Sequence, residues 1–334
     1  MHTAETLTLA RLPSGVPVRT TVHTYGDAAE QGSTGQAAPG GGPTLYVQAA
    51  QHGREVNGTE VLRRVHERLD HEAVSGTLVT VPVADPLTFD RVSYTTSEEI
   101  DAVNSNMNRV WPGDDEGSIH ERMAAALWEY AGEADAIIDL HTGSPDMLTH
   151  TVYLKGDDES RRLAAAFGSD LLLAEAAGDE ADTEWTERNF GGKLRVAATR
   201  EGIPSLTPEL AHNKQLVEPA IETGVRGVQN VMKELDMLSG EPEIPSNLTT
   251  ARNHLGRVTA ADSGLFHPGP DTALGETVAE GDHLGRVYDP TTYEVLQEVT
   301  ADRAGFVYSI AREATVTAGE TLVGVALPLR DGVE

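Results

Sequence analysis

The chain reads as an α/β domain, one sheet covered by helices on both faces, followed by a small all-β barrel or sandwich. Three observations predict this. From Leu45 to about Gly240, short apolar runs alternate with segments whose apolar residues recur at three- and four-residue steps, the pattern of strands and covering helices. A polar, proline-bearing stretch, Glu241-Pro242-Glu243-Ile244-Pro245-Ser246-Asn247, then reads as a linker over 241–250. Residues 251–334 are short strands punctuated by glycine, with no helical period. The 334 residues exceed one typical domain and can bury a large core. The expected division is therefore 1–240 and 251–334, joined by the linker.

Taken in order, residues 1–25 hold alternating Thr/Val/Leu segments, Glu5-Thr6-Leu7-Thr8-Leu9-Ala10 and Val16-Pro17-Val18-Arg19-Thr20-Thr21-Val22, which predict a lead-in pair of strands. Gly26 to Thr44 is rich in Gly, Ala and Gln without periodicity and reads as a mobile surface excursion. Leu45-Tyr46-Val47-Gln48-Ala49 and Ala136-Ile137-Ile138 read as buried strands. Helices are predicted over Thr59–Leu69, Ile119–Gly132, Glu159–Leu173 and Pro219–Leu238. In the last stretch Gly264-Leu265-Phe266, Gly275 to Asp282, Leu284 to Tyr288 and Ala304 to Tyr308 read as strands.

Charge sets the next bound. With 53 acids against 25 bases the formal net charge is −28, and the only lysines are Lys155, Lys193, Lys214 and Lys233. An acid excess spread along the whole chain argues for a halophilic protein kept soluble in concentrated salt, and against nucleic acid, which needs a basic surface. No basic N-terminal region precedes an apolar run, and nothing approaches the roughly 18 consecutive apolar residues of a membrane span. A cytoplasmic enzyme with no membrane partner is expected; whether it is a homo-oligomer is open. The chain has no cysteine, which excludes disulfides and any Cys-based structural zinc site.

Chemistry enters with two motifs. His52 and Glu55 stand in Gln51-His52-Gly53-Arg54-Glu55, and His141 stands in Asp139-Leu140-His141-Thr142-Gly143, each after an apolar run. The three side chains would meet at one edge of the sheet, where open α/β sheets build active sites. Two imidazoles and a carboxylate leave a fourth position for water, the arrangement of catalytic zinc. An H-x-x-E alone is more often a solvated helix start. A histidine straight after a buried strand, followed by small turn residues, is an awkward core residue, and Asp139 is near enough to orient it.

Five segments in order carry a resemblance. They are Gln51 to Gly58; Pro82-Val83-Ala84-Asp85-Pro86-Leu87 with Arg91; Asn106-Met107-Asn108-Arg109-Val110-Trp111-Pro112-Gly113; Asp139 to Gly143; and Gly202-Ile203-Pro204-Ser205-Leu206-Thr207-Pro208-Glu209-Leu210. Together they resemble the aspartoacylase and succinylglutamate desuccinylase family, whose catalytic domain is a zinc carboxypeptidase-like mixed sheet flanked by helices. The resemblance implies that His52, Glu55 and His141 hold one Zn2+ per chain. It implies that Glu209 takes a proton from the attacking water and returns it to the leaving amine, that Arg91 stabilises the oxyanion, and that Asn108 and Arg109 grip a substrate carboxylate.

The match departs at Pro208, which precedes Glu209 and should end the strand, and at Ala211, where glycine is common. Arg195 and Arg200 lie between surface ion pairing and contact with the far end of the substrate. Singly, Arg91 also reads as a surface charge, Asn108-Arg109 as a turn and Glu209 as an exposed acid. The C-terminal stretch resembles biotinyl and lipoyl carrier domains, yet no lysine follows Lys233 for attachment, so a lid, wall or assembly surface is implied. The reading is a zinc-dependent amidohydrolase deacylating a small-molecule N-acylated amino acid or related carboxylate. A metallocarboxypeptidase and a binding protein with a degenerate site are the alternatives.

Overall fold

A computed structural model describes residues 1–26, 41–177, 183–253 and 258–329. Most of the excursion expected between Gly26 and Thr44 lies outside the described residues. Strands β1 (His2–Arg11) and β2 (Pro17–Gly26) form the antiparallel lead-in pair. After β3 (Thr44–Ala49) come α1 (Asn57–Arg68), β4 (Thr77–Val81), the single turn α2 (Pro86–Phe89) and α3 (Ile119–Ala131). Next are β5 (Ala136–Gly143), β6 (Asp146–Met147), β7 (His150–Leu154), α4 (Asp158–Phe167) and β8 (Leu171–Glu175). The α/β part ends with α5 (Thr183–Glu187), α6 (Leu194–Arg200), β9 (Ser205–His212) and α7 (Glu218–Glu234).

At the centre, β4, β3, β5 and β9 run parallel, and β7 joins β9 antiparallel. Every residue of β3 is buried, because apolar side chains leave it on both faces. Leu45, Val47 and Ala49 enter the core shared with α1 and α7, while Tyr46 enters the core under α3 with Val79 and Ile137. This is the two-sided burial expected of a parallel sheet.

Two expectations need correction. The helix predicted over Glu159–Leu173 stops at Phe167, because Gly168 takes the left-handed conformation (φ 81°) and caps it, and the buried run Leu171-Leu172-Leu173 continues as β8. The strand predicted to end at Pro208 runs on to His212. Its ladder with β5 passes from the Ile138–Leu206 pair to the His141–Glu209 pair with no pair at Pro208, so the missing N–H costs no bond there. Ala211 is left-handed (φ 57°), a conformation that favours glycine.

The C-terminal stretch contributes β10 (Thr249–Asn253), β11 (Val258–Thr259), β12 (Gly264–Pro268), β13 (Thr277–Val278) and β14 (His283–Tyr288). It continues with β15 (Val295–Thr300), β16 (Gly305–Ile310), β17 (Thr315–Val316) and β18 (Thr321–Pro328). The sheet β15-β14-β12-β17 packs over a core of its own that includes Phe266, Leu284, Val287, Val299, Val307 and Val323. The other strands do not stand apart. β10 pairs parallel with β8 and antiparallel with β18, so the large sheet runs on without a break from β1 to β13. The stretch expected to be a linker is also tied down, since Asn230 on α7 exchanges two hydrogen bonds with the backbone of Glu243 (3.0 and 3.2 Å).

Candidate active site

Three parallel strands bring the site together at their carboxyl ends. The chain leaves β3 through Ala50, turns so that the Glu55 N–H donates to the His52 carbonyl (2.9 Å), and enters α1. Gly53 in this turn is forced: a Cβ there would lie 2.0 Å from the carbonyl carbon and oxygen of Thr88. His141 sits inside β5 rather than after it, on the same face as Asp139, and Glu209 is its direct cross-strand partner on β9.

His52, Glu55 and His141 are buried, with one ligand atom from each within 4.8 Å of the others. The ring nitrogen that each imidazole turns away is held by the protein. His52 Nδ1 lies 2.8 Å from the carbonyl oxygen of Tyr94, and His141 Nε2 lies 2.9 Å from Asp139 Oδ2. Asp139 is fixed in turn by the amide groups of Gln48 (3.0 Å) and Gln51 (2.7 Å), and Gln51 accepts the indole N–H of Trp111 (2.8 Å). Such support selects the tautomer and aim of a metal-binding histidine.

Electrostatics suits a cation. Burial pushes the His52 imidazole down to about 4, so it stays neutral and able to ligate. Burial pushes His141 the same way, but Asp139 and Glu55 outweigh it and hold that ring well above its ordinary value. Its Nδ1, 2.9 Å from Glu55 Oε2, gathers a proton where two carboxylates call for positive charge. The donor set therefore fits a zinc-like ion: one neutral imidazole, one imidazole that loses its proton on binding, and one carboxylate. Burial first, and Glu55 next among the raising groups, push the Glu209 carboxyl up to about 7.

A cavity of about 800 Å³ opens over these residues. Arg54, Arg109, Lys193 and Arg195 line it, as do Thr259, Tyr308 and Glu320 from the C-terminal stretch. Arg109 lies with its guanidinium 4.9 Å from the centre of the Phe190 ring and donates to the Asn108 carbonyl (2.6 Å). Asn108 is buried, and its side chain works on the protein: Oδ1 accepts the Leu194 N–H (3.1 Å) and Nδ2 lies 3.3 Å from His141 Nε2.

Arg91 departs from expectation. It is exposed and outside the cavity lining, and it donates to the Leu87 carbonyl one turn back (3.1 Å). Of the two arginines left open, Arg195 is buried in the cavity wall against Glu175 and Thr207, whereas Arg200 is exposed and donates to the Gly191 carbonyl (2.9 Å). Tyr94, Glu175 and Lys193 escaped the sequence reading. Lys193 Nζ lies 2.8 Å from Glu175 and 3.7 Å from the Phe190 ring centre, and Tyr94 stacks on His52 with ring centres 3.9 Å apart. Their local sequence carries no signal, because it is packing from distant segments that brings them in.

The model of the succinylglutamate desuccinylase/aspartoacylase catalytic domain matches residues 41–235, more than half of the chain. An N-alpha-acetyl-L-2,4-diaminobutyric acid deacetylase from Halomonas elongata is 28% identical over 307 residues, covering 86% of this chain and 83% of the relative. Among solved structures, the product-bound ectoine utilization protein EutE (DoeB) from Ruegeria pomeroyi superposes with a TM-score of 0.82 at 22% identity, covering 98% of this chain and 95% of that one. A succinylglutamate desuccinylase from Silicibacter sp. TM1040 gives 0.81 at 22% identity with the same coverage. These last two likenesses speak for the fold, and the family model speaks for the lineage: this chain belongs to the succinylglutamate desuccinylase/aspartoacylase family.

Proposed function

We propose that the protein is a zinc-dependent amidohydrolase that removes the acyl group from a small N-acylated amino acid, on a carboxypeptidase-like catalytic domain. The observation that carries this is the facing of Glu209 and His141 across β9 and β5, beside His52 and Glu55 and beneath one cavity. His52, Glu55 and His141 would hold the ion, which supplies Lewis acidity for the attacking water and the scissile carbonyl. Glu209, with its raised affinity for a proton, takes one from the attacking water and delivers it to the leaving nitrogen. Arg109 pairs with the substrate carboxylate through its planar fork. Asn108 keeps His141 and the start of α6 in place. Arg91 is left without a part in the chemistry, because its side chain is turned to solvent.

Residues from about 251 onward act in this reading as a non-carrier biotinyl/lipoyl-like unit that walls the cavity. Thr259, Tyr308 and Glu320 supply that wall, which favours a short substrate over a peptide. The test is a hydrolysis screen of the zinc-loaded protein over N-acetyl, N-succinyl and N-formyl amino acids, Nα-acetyl-2,4-diaminobutyrate and short peptides, with amine release as the readout. Cleavage of an acylated amino acid supports the reading. Release of C-terminal residues from peptides alone would replace it with a metallocarboxypeptidase, and no turnover with the metal bound would leave a binding protein.

A further inference from the structure

We propose that His2, His66 and His71 form a second site, for one divalent transition-metal ion, where the β1–β2 hairpin meets the end of α1. Four of the chain's twelve histidines gather around Tyr25. His2 comes from β1, His23 from β2, His66 from the last turn of α1 and His71 from the loop after it. None of them lines the cavity.

The ring centres of His2, His66 and His71 make a nearly equilateral triangle with sides of 4.9, 5.4 and 5.2 Å. The molecule supplies its own ruler. His52 and His141, the two imidazoles of the candidate zinc centre, stand 5.3 Å apart with their planes inclined at 58°, and His2 is inclined at 56° to His66 and 51° to His71. Each ring also has one nitrogen engaged by the protein. His66 Nδ1 meets the Tyr25 hydroxyl (3.0 Å), His71 Nε2 the His66 carbonyl (3.0 Å) and His2 Nε2 the His23 Nδ1 (3.1 Å). These contacts hold the three rings close together, and capture of an ion exchanges some of them for bonds to the metal. His23, stacked on His2 with planes 12° apart, supports the site and does not ligate.

Among the described residues, only His52, Glu55 and His141 already bring three ligand atoms within 4.8 Å. Capture at the second site therefore needs the rings to turn about Cβ–Cγ, a broad torsion of low cost. His66 is exposed and His2 and His71 are half-buried, which leaves room for that turn. Three imidazoles without a carboxylate select Zn2+, Ni2+ or Cu2+ over Mg2+ and Ca2+. An ion there would staple the hairpin to α1.

The full chain, stripped with a chelator, is loaded with Ni2+ or Zn2+ and its metal content read after gel filtration. Two ions per chain are expected for the unaltered protein and one for the His66→Ala/His71→Ala pair. His141→Ala should also retain one, and Ni2+ should raise its melting temperature, whereas the variant that combines His141→Ala with His66→Ala and His71→Ala should hold no ion and show no rise. If the paired variant is unstable, His66→Gln, at an exposed helix position, replaces it with the same expected loss. One ion in the unaltered protein, or a second ion persisting after the histidines are removed, overturns the proposal. Because different substitutions empty the two sites, failure here leaves the active-site reading standing, and the reverse also holds.

Discussion

The proposed chemistry turns on Glu209, because burial and the neighbouring Glu55 raise its affinity for a proton while His141 faces it across the ladder. Glu209→Gln is expected to keep the active-site ion, since it supplies no ligand, and to lose about 10²- to 10⁴-fold in turnover, the usual range for a general base. Metal content and kcat measured on the same preparation check this, and near-normal kcat removes the assignment. Arg91 makes the opposite case. Its exposed guanidinium reaches only the turn beneath it, so Arg91→Ala should leave kcat/KM nearly unchanged. A large loss would show that the side chain swings into the cavity during turnover. Arg109→Lys should raise KM more than an equal charge suggests, because an ammonium cannot give a carboxylate two parallel bonds; equal cleavage of a substrate amide and acid would show that no carboxylate is read.

Elements place these residues through a few close approaches. The turn from β3 into α1 presses Gly53 against the backbone of Thr88, which no side-chain movement can relieve. Gly53→Ala should thus push His52 or Glu55 off position and weaken binding of the active-site ion, leaving most of the fold melting as before. Calorimetric zinc titration beside a thermal melt separates these two effects. Equal zinc affinity would show that the turn has slack. The hairpin of β1 and β2 gives a pH prediction. His2 is held down at about 4 by burial and then by His66, His23 and His71, against an ordinary value of 6.5. A histidine that favours its neutral form in the fold adds stability that is complete above about pH 6.5 and is lost as pH falls towards about 4. Hydrogen exchange in β1 should therefore quicken over that window before the central strands β3 and β5 respond, and uniform exchange at both places would refute it.

At the scale of the whole molecule, the charge of −28 sets up self-repulsion that dilute buffer leaves unscreened. Molar salt shortens the Debye length to about 3 Å, so the melting temperature should climb between about 0.1 M and 1 M potassium chloride, with activity retained. A flat or falling melting temperature would leave the acidity without this explanation. The large sheet bears on the same question, because β10 joins β8 to β18 and makes the C-terminal stretch part of the framework that holds the cavity.

What the sequence by itself determined is the part of the protein written in local pattern. Apolar runs lead into ligand-type residues at Gln51-His52-Gly53-Arg54-Glu55 and at Asp139-Leu140-His141, so the buried strands and a candidate ligand trio could be read from spacing, while the five ordered motifs, through their resemblance to the family, implied the roles. Gly168 before a run of leucines also marks a helix end, which the apolar periodicity through Leu173 masks. Tertiary structure alone decided the rest. Arg91 and Arg109 carry the same charge and stand in comparable turns, yet one faces solvent and the other the cavity, since the backbone path after α2 is set by contacts from distant segments. Tyr94, Glu175, Lys193 and the histidines around Tyr25 are likewise defined by partners on other elements. Proximity across long loops depends on how the layers pack, and no local spacing in a chain encodes that.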